Sequence, residues 1–173
     1  MAVTLWLVRH GATAWSETGR VCGWTDVPLS AAGRGQAQLF QPRLQGLAFD
    51  GVWTSDLVRA SEFARLAFGD ATPDTSLREL DFGELEGRTW HDLEQPIRDA
   101  LLRFDGFVAP GGESAAAFQN RVVGFLSGLT PGEHLVFTHG GVVRLLTRLL
   151  GVASSPVPGE LTVLEWSTMI GAE

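Results

Sequence analysis

The chain has 173 residues, of which 45% are hydrophobic and 19% charged, and its formal net charge is −7. This length and composition predict a single folded domain over residues 1–173 and exclude an intrinsically disordered chain. The negative charge argues against a general nucleic-acid-binding protein, which needs a basic surface to replace the counterions of phosphates.

The inventory of reactive side chains excludes several chemistries. All 13 basic side chains are arginine, and tyrosine is absent, so lysine and tyrosine cannot take part in catalysis. The single cysteine, Cys22, cannot form an internal disulfide, which predicts a cytoplasmic protein. Residues 1–8 are apolar but lack a basic flank and are too short for a membrane span or a signal peptide, so we expect no membrane association.

The first half of the chain predicts a strand, a loop, a helix and a second strand. Residues 4–8 alternate and run apolar into Arg9 and His10, which is typical of a central strand. Residues 13–29 have no clear period and are predicted to form a loop. Ser30 is expected to cap a helix that Pro42 kinks or ends. Residues 51–54 then form a short buried strand.

The middle of the chain predicts a helix followed by a less regular segment. Ser55 or Asp56 is expected to cap a helix with an apolar face. That face comprises Leu57, Ala60, Ala64 and Ala67. Between residues 88 and 110 we expect a short helix near Trp90, a break at Pro96 and then an apolar helix.

The last part of the chain returns to alternating strands and helices. Residues 111–114 predict a turn and a helix start, residues 135–138 a buried strand, residues 142–150 a helix, and residues 161–166 a final strand. This alternation predicts an α/β fold with three layers, in which helices cover both faces of a mostly parallel sheet. His10 and His139 each follow a strand, at the sheet edge where such folds bind ligands.

Six blocks, in order along most of the chain, resemble the histidine phosphatase superfamily, which includes the phosphoglycerate mutases. They are LVRHGAT at residues 7–13 and the segments 19–30, 54–60, 77–83, 110–114 and 138–144. One Arg-His-Gly triplet is a weak signal, whereas six ordered blocks are a strong one. The resemblance implies the phosphoglycerate mutase fold.

The resemblance also implies a mechanism of phosphoryl transfer. His10 would attack phosphorus and carry the phosphoryl group as phosphohistidine. Arg9, Arg59 and His139 would grip the phosphoryl oxygens, a task for which the planar guanidinium is well suited. Glu79 would protonate the leaving oxygen and then deprotonate water. Only the match of residues 77–83 with the family's motif selects Glu79 over the carboxylates at positions 81, 84 and 86.

A wider set of contacts follows from the same resemblance. Further phosphate contacts are expected from Gly11, Thr13, Ser16 and Gly140, and weaker substrate contacts from Cys22 and Gly23. Ser16 stands where the family often has asparagine, so its shorter hydroxyl is a departure from the pattern. No metal and no cofactor are expected, because Arg9 and Arg59 would repel a cation from a site made of the two histidines and a carboxylate.

The resemblance favours a phosphatase acting on a small phosphomonoester over a mutase. Mutases of the family carry arginine and tyrosine after the acid glutamate, whereas residues 80–87 contain neither and have several carboxylates, which would repel phosphoglycerate. Two alternatives stay open: mutase-type transfer, and a phospho-ligand binding domain with weak turnover, which Ser16 and the short segment after the last strand would explain.

Substrate selection is expected to depend on residues 88–110, which cover the site in this family. Trp90, Phe104 and Phe107 are candidates for an apolar wall, although core packing is the expected use of all three. His91 and His134 match no block and are predicted to lie at the surface. A homo-oligomer is compatible with these features, which specify no oligomeric state.

Overall fold

The computed structural model describes residues 2–167, and this part of the chain contains a five-stranded sheet. Its strands are β1 (Val3–Arg9), β2 (Gly51–Ser55), β3 (Thr72–Asp74), β4 (Gly132–Thr138) and β5 (Leu161–Trp166). They lie in the order β3-β2-β4-β1-β5, with β5 antiparallel to β1 and the other pairs parallel. The predicted mostly parallel sheet is confirmed.

Helices follow or precede most strands. They are α1 (Ala14–Glu17), α2 (Ala31–Leu44), α3 (Val58–Ala67), α4 (Gln95–Arg103), α5 (Ala115–Ser127) and α6 (Gly140–Leu149). Ser30 caps α2 as predicted, and Ser114 caps α5, because each hydroxyl oxygen accepts a backbone N–H three residues later. No helix among residues 2–167 is long and apolar enough to cross a bilayer.

Apolar side chains cover both faces of the sheet, as the period-two pattern of its strands requires. In β1, Leu5 and Leu7 belong to the core cluster on the side of α5 and α6, whereas Val8 belongs to the cluster on the side of α2 and α3. In β4, Val136 and Phe137 divide in the same way. This arrangement confirms the three-layer prediction.

The pairing of β1 with β4 positions the two histidines. Arg9 lies opposite Thr138 in the parallel register, and His10 and His139 are the next residues along each strand. The backbone N–H of His10 donates to the Thr138 carbonyl at 3.0 Å. The two histidines therefore reach the same carboxyl edge of the sheet side by side, where ligands bind in α/β folds.

Two prolines affect the helices differently. α2 continues through Pro42 and ends two residues later at Leu44. The hydrogen bond that Pro42 cannot donate would go to the carbonyl of Gln38, which is exposed and can bind water instead. Pro96 separates two helical segments as predicted: a 3₁₀ turn at Trp90–Asp92 ends before it, and it lies in the first turn of α4, where a backbone N–H has no partner within the helix.

Two local predictions in the first half were wrong. The loop predicted at residues 13–29 contains the single turn α1, capped by Thr13. Neither Ser55 nor Asp56 caps α3, whose N-cap is Leu57. The carboxylate of Asp26 instead accepts the Val58 N–H at 2.8 Å. A residue distant in sequence thus satisfies this helix end, which local patterns do not predict.

The two remaining histidines differ in location. His91 is exposed as predicted. His134 is 2% exposed and not a surface residue. Its Nδ1 accepts from the indole N–H of Trp53 at 3.2 Å, so Nε2 carries the proton and donates to the Thr130 carbonyl at 2.9 Å. Both polar atoms are satisfied, which explains why a histidine is tolerated there.

Candidate active site

His10 follows β1 and is 6% exposed. Its Nδ1 lies 2.7 Å from the Gly11 carbonyl oxygen. Because a carbonyl only accepts hydrogen bonds, the neutral ring carries its proton on Nδ1, and Nε2 keeps its lone pair. Burial, assisted by the charges of Arg59 and Arg9, lowers the pKa of His10 to about 3. At neutral pH the residue is therefore an uncharged imidazole with Nε2 as the nucleophilic atom.

Arg59 provides a buried cation next to this nitrogen. It lies in the first turn of α3 and is 1% exposed. Its Nε donates to Nε2 of His10 at 3.2 Å, and its two terminal nitrogens donate to the carbonyls of Thr25 and Gly23. These bonds use three of its five N–H groups, so two remain for an anion.

Arg9 brings a second cation to the same edge. Its Nη1 donates to the Pro156 carbonyl at 2.5 Å, whereas its buried Nε has no hydrogen-bond partner among residues 2–167. Burial lowers the pKa of Arg9 from its ordinary value, and the charge of Glu79 opposes that shift. Gly140, the first residue of α6, packs against this guanidinium, since a Cβ there would lie 3.1 Å from Nε. The start of α6, which favours anions, adjoins Arg9.

His139 lies beside His10 but does not line the cavity. The two rings meet edge to face with their centroids 5.1 Å apart, and His139 is completely buried. Its Nε2 lies 2.8 Å from the Ser55 hydroxyl. That hydroxyl oxygen also accepts the Leu57 N–H with one of its two lone pairs. Nδ1 has no partner among the described residues. Burial and the charge of Arg59 lower the pKa of His139.

Glu79 lies across the cavity edge with both carboxylate oxygens held. Oε1 accepts the N–H of Leu80 and Oε2 accepts the N–H of Gly141, each at 2.9 Å. A Cβ at Gly141 would lie 1.9 Å from Oε1, so only glycine fits there. These contacts tie the carboxylate to the start of α6.

Arg121 on α5 holds the backbone beneath Glu79, and the sequence did not identify it. Its guanidinium donates to the carbonyls of residues 76, 78 and 79 and pairs with Glu113 at 2.7 Å. The indole N–H of Trp24 donates to the same Glu79 carbonyl at 2.9 Å. An arginine on an amphipathic helix resembles a solvated residue. The sequence feature that pointed to Arg121 was Glu113 in the block 110–114, because a largely buried carboxylate needs a cation nearby.

Thr13 and Ser16 both line the cavity but also form the cap of α1. The Thr13 hydroxyl oxygen accepts the Ser16 N–H at 3.0 Å, and the Ser16 hydroxyl accepts the Thr13 N–H at 2.9 Å. The Ser16 hydroxyl donates its proton to the Thr13 carbonyl. Ser16 is thus occupied locally, whereas the Thr13 hydroxyl proton is available to a ligand.

Three other predicted contacts have distinct locations. Gly11 does not line the cavity and packs on α2, where a Cβ would lie 2.7 Å from the Gly33 carbonyl. Gly23 also lies off the cavity wall, and its carbonyl accepts from Arg59. Both glycines thus position His10 and Arg59 instead of contacting a ligand. Cys22 lines the cavity, and burial raises the pKa of its thiol to about 11, so the thiol is protonated and not a nucleophile.

A family model described as the histidine phosphatase superfamily (branch 1) matches residues 5–165. The chain belongs to the histidine phosphatase superfamily. One relative is an adenosylcobalamin/alpha-ribazole phosphatase of Escherichia coli (strain K12), which is 35% identical over 86% of this chain and 79% of that protein. Another is a probable phosphoglycerate mutase GpmB of Proteus mirabilis (strain HI4320), which is 35% identical over 86% of this chain and 75% of that protein. A crystal structure of phosphoglycerate mutase from Thermus thermophilus aligns with a TM-score of 0.88 and 47% identity over 94% of this chain and 93% of that one. Relatives of this chain thus bear both phosphatase and mutase names.

The site opens into a cavity of about 860 Å³. Among residues 2–167, the cavity lining contains five arginines and one carboxylate, that of Glu79. The carboxylates at positions 81, 84 and 86 are not on its wall, and Glu86 instead accepts the N–H groups of Gly23 and Thr25. The expectation that residues 80–87 would repel phosphoglycerate stays a prediction. None of these carboxylates lines the cavity, but the charge of Glu86 contributes to the raised pKa of Cys22 on the cavity wall.

No group of three or more His, Cys, Asp or Glu side chains among residues 2–167 is arranged to hold a metal ion. Arg59 contacts His10 directly, and its positive charge works against a cation at that nitrogen. Apart from the Glu79 carboxylate, the charged side chains on the cavity wall among residues 2–167 are arginines, a composition suited to a phosphate dianion.

Proposed function

We propose that this protein is a metal-independent phosphomonoesterase that transfers the phosphoryl group of a small organic phosphate to His10 and then to water. The observation that carries the proposal is the state of His10, whose unprotonated Nε2 contacts the Arg59 guanidinium. A neutral imidazole can attack phosphorus at neutral pH, and an adjacent guanidinium can stabilise the charge on the transferred group.

Unpaired donors support phosphate binding beside His10. The buried Nε of Arg9 lacks a partner among the described residues, and a buried donor without a partner is costly. The N-terminal residues of α6, Gly140 and Gly141, line the same cavity. A phosphate dianion in the cavity would satisfy this donor together with the two unused N–H groups of Arg59.

In the first step, Nε2 of His10 forms a bond to phosphorus as the bond from phosphorus to the ester oxygen breaks. Glu79, in its protonated form, gives its proton to the leaving oxygen, so the alcohol departs neutral and Glu79 becomes a carboxylate. The hydrogen bond between Nδ1 of His10 and the Gly11 carbonyl stabilises the positive charge that the ring gains.

In the second step, water attacks the phosphohistidine in line. The Glu79 carboxylate takes a proton from that water, and the bond between phosphorus and Nε2 breaks. Inorganic phosphate leaves, and both His10 and Glu79 return to their starting protonation states. The net reaction is phosphomonoester plus water to alcohol plus phosphate.

Mutase-type transfer is a second candidate, because one observation favours it. The Arg144 side chain lines the cavity and has no hydrogen-bond or ion-pair partner among residues 2–167, so it is available to a substrate carboxylate. Against it, the cavity is larger than a three-carbon phosphate needs, which leaves room for water to reach the phosphohistidine. We therefore place hydrolysis first.

Phosphate release from a panel of phosphomonoesters tests the proposal, with EDTA present and across roughly pH 5 to 8. The matched variants are His10→Ala and His91→Ala, since His91 is an exposed histidine outside the cavity. We expect release by wild type and His91→Ala, and a loss of roughly 10⁴-fold or more in His10→Ala. Undiminished release by His10→Ala would refute the proposal.

The same samples separate the alternatives. Isomerisation of 3-phosphoglycerate in the presence of bisphosphoglycerate, without net phosphate release, would establish the mutase instead. Saturable phosphate binding with neither activity would indicate a binding domain that has lost turnover. Activity that disappears in EDTA and returns with a metal would contradict the metal-independent mechanism.

A further inference from the structure

The cavity extends beyond His10 along a second, apolar wall. This wall is lined by large side chains from the segment after Glu79, from residues 90–104 and from α6: Phe82, Trp90, Leu101, Leu102, Phe104 and Leu145. Two of them are unusually exposed for their size, since Leu102 is 72% and Trp90 38% exposed. Apolar side chains left open to water on one cavity wall mark a binding surface.

The backbone at Phe104 is strained, and it lies on this wall. Phe104 has φ 66° and ψ −45°, and among residues 2–167 it is the only residue other than glycine with a positive φ. The Asp105 N–H donates to the Arg103 carbonyl at 2.8 Å, which closes a tight three-residue turn around Phe104. A side chain held in such a turn is typical of ligand-contact sites.

The composition of the wall indicates the kind of group that it takes. Phe82, Trp90 and Phe104 come from three separate stretches of chain and converge on one cavity. Aromatic side chains pack best against other rings, in offset or edge-to-face geometry. The wall adjoins the cationic end of the cavity, which holds His10 and Arg9. A ligand that fits both ends has a phosphate at one end and a ring at the other.

We infer that the substrate is a phosphomonoester whose leaving alcohol carries an aromatic ring, with the ring packed against Trp90, Leu102 and Phe104. This inference rests on the proposed function, because the phosphate end must be the group attacked by His10. Phe107, considered earlier for the same wall, is buried in the core and does not contribute. Trp90 and Phe104, by contrast, line the cavity, and Phe104 also packs against the core.

Phenethyl phosphate and ethyl phosphate form a matched pair for the test. Both release a primary alcohol, so the leaving groups are similar in basicity and differ mainly in the ring. We expect kcat/KM to be at least about tenfold higher for phenethyl phosphate, which corresponds to burying part of a phenyl group. In Leu102→Ser and Trp90→Ser the ratio should fall several-fold, mainly through a higher KM for phenethyl phosphate.

Leu39→Ser is the control, because Leu39 is 80% exposed on α2 and does not line the cavity. The ratio should be unchanged in this variant. Phe104→Gly adds a second line of evidence, because glycine accepts the positive φ without strain. If this variant folds but loses the preference for the ring, the preference depends on the Phe104 side chain and not on its backbone conformation.

Three outcomes decide the inference. Hydrolysis of both esters at similar kcat/KM would overturn it and leave the proposed function standing. A preference for 3-phosphoglycerate over phenethyl phosphate would overturn it in favour of a carboxylated substrate. Hydrolysis of neither ester, with no other phosphomonoester turned over, would overturn the proposed function and this inference together.

Discussion

Arg59 donates a hydrogen bond from Nε to Nε2 of His10 at 3.2 Å, and the two residues come from different layers of the fold. Arg59 belongs to α3 and His10 follows β1. Burial, assisted by the charge of Arg59, keeps the imidazole neutral, and the contact marks the position where an anion would meet both groups. Activity and its response to pH therefore depend on how this pair and Glu79 are held.

The buried histidines should make stability fall in acid. The pKa of His10 is about 3 and that of His139 is well below its ordinary value, whereas both titrate near 6.5 in the unfolded chain. Below about pH 6.5 the unfolded state therefore binds more protons, and the free energy of unfolding falls as pH falls, by up to about 1.4 kcal/mol per pH unit for each histidine.

Urea unfolding between about pH 7 and 4 measures this effect. His10→Gln should show a shallower decline than wild type, because one of the two histidines can no longer take up a proton on unfolding. His91→Gln, which changes an exposed histidine, should follow wild type. Identical declines in wild type and His10→Gln would show that burial does not depress the pKa of His10.

Gly141→Ala should abolish most activity while the protein stays folded. The added Cβ would lie 1.9 Å from Oε1 of Glu79, so the carboxylate must move. We expect kcat to fall by roughly 10² to 10⁴, the contribution of a positioned acid–base group. Gly124→Ala is the control, because this exposed position on α5 has open space and alanine favours the helix by up to about 1 kcal/mol. Full activity in Gly141→Ala would show that the position of Glu79 does not matter for the reaction.

Arg121 should act as a positioning residue for Glu79. Arg121→Met removes the bonds to the carbonyls of residues 76, 78 and 79, so kcat should fall by roughly tenfold or more with little change in KM. The loss should be larger for ethyl phosphate than for 4-nitrophenyl phosphate, because a poor leaving group depends more on proton donation. Glu79→Gln should show the same pattern.

Two controls distinguish positioning from a loss of stability. Arg34→Met breaks an exposed ion pair with Glu62 and should leave kcat unchanged. Arg121→Met leaves the Glu113 carboxylate without its cation. The double variant Arg121→Met/Glu113→Gln removes that charge, so it should be more stable than Arg121→Met but have the same lowered kcat. Equal losses for the two leaving groups would indicate that Arg121 supports the fold alone.

The sequence predicted the strands and the histidines that follow them because these features depend on local patterns. Residues 4–8 and 135–138 are apolar enough to require a central position, and parallel pairing then brings His10 and His139 together. Their shared edge follows from the topology of parallel sheets.

Features that depend on distant contacts were missed or mispredicted. Arg121 acts on carbonyls more than 40 residues away in sequence, and Asp26 caps α3 from a loop 32 residues earlier. Asp81 and Glu86 accept backbone N–H groups instead of lining the cavity, and local patterns could not predict this because those partners are set by the fold. His134 resembled a surface residue because its partner, Trp53, lies on the neighbouring strand.

Detection of the phosphorylated enzyme tests the central claim most directly. Glu79→Gln should slow the attack of water on the intermediate, so the variant is mixed with 4-nitrophenyl phosphate and quenched in alkali, where phosphohistidine survives. Peptide mass spectrometry then locates the phosphoryl group. We expect phosphate on His10, and none in the Glu79→Gln/His10→Ala double variant. Phosphate on another residue, or turnover by His10→Ala, would contradict the mechanism.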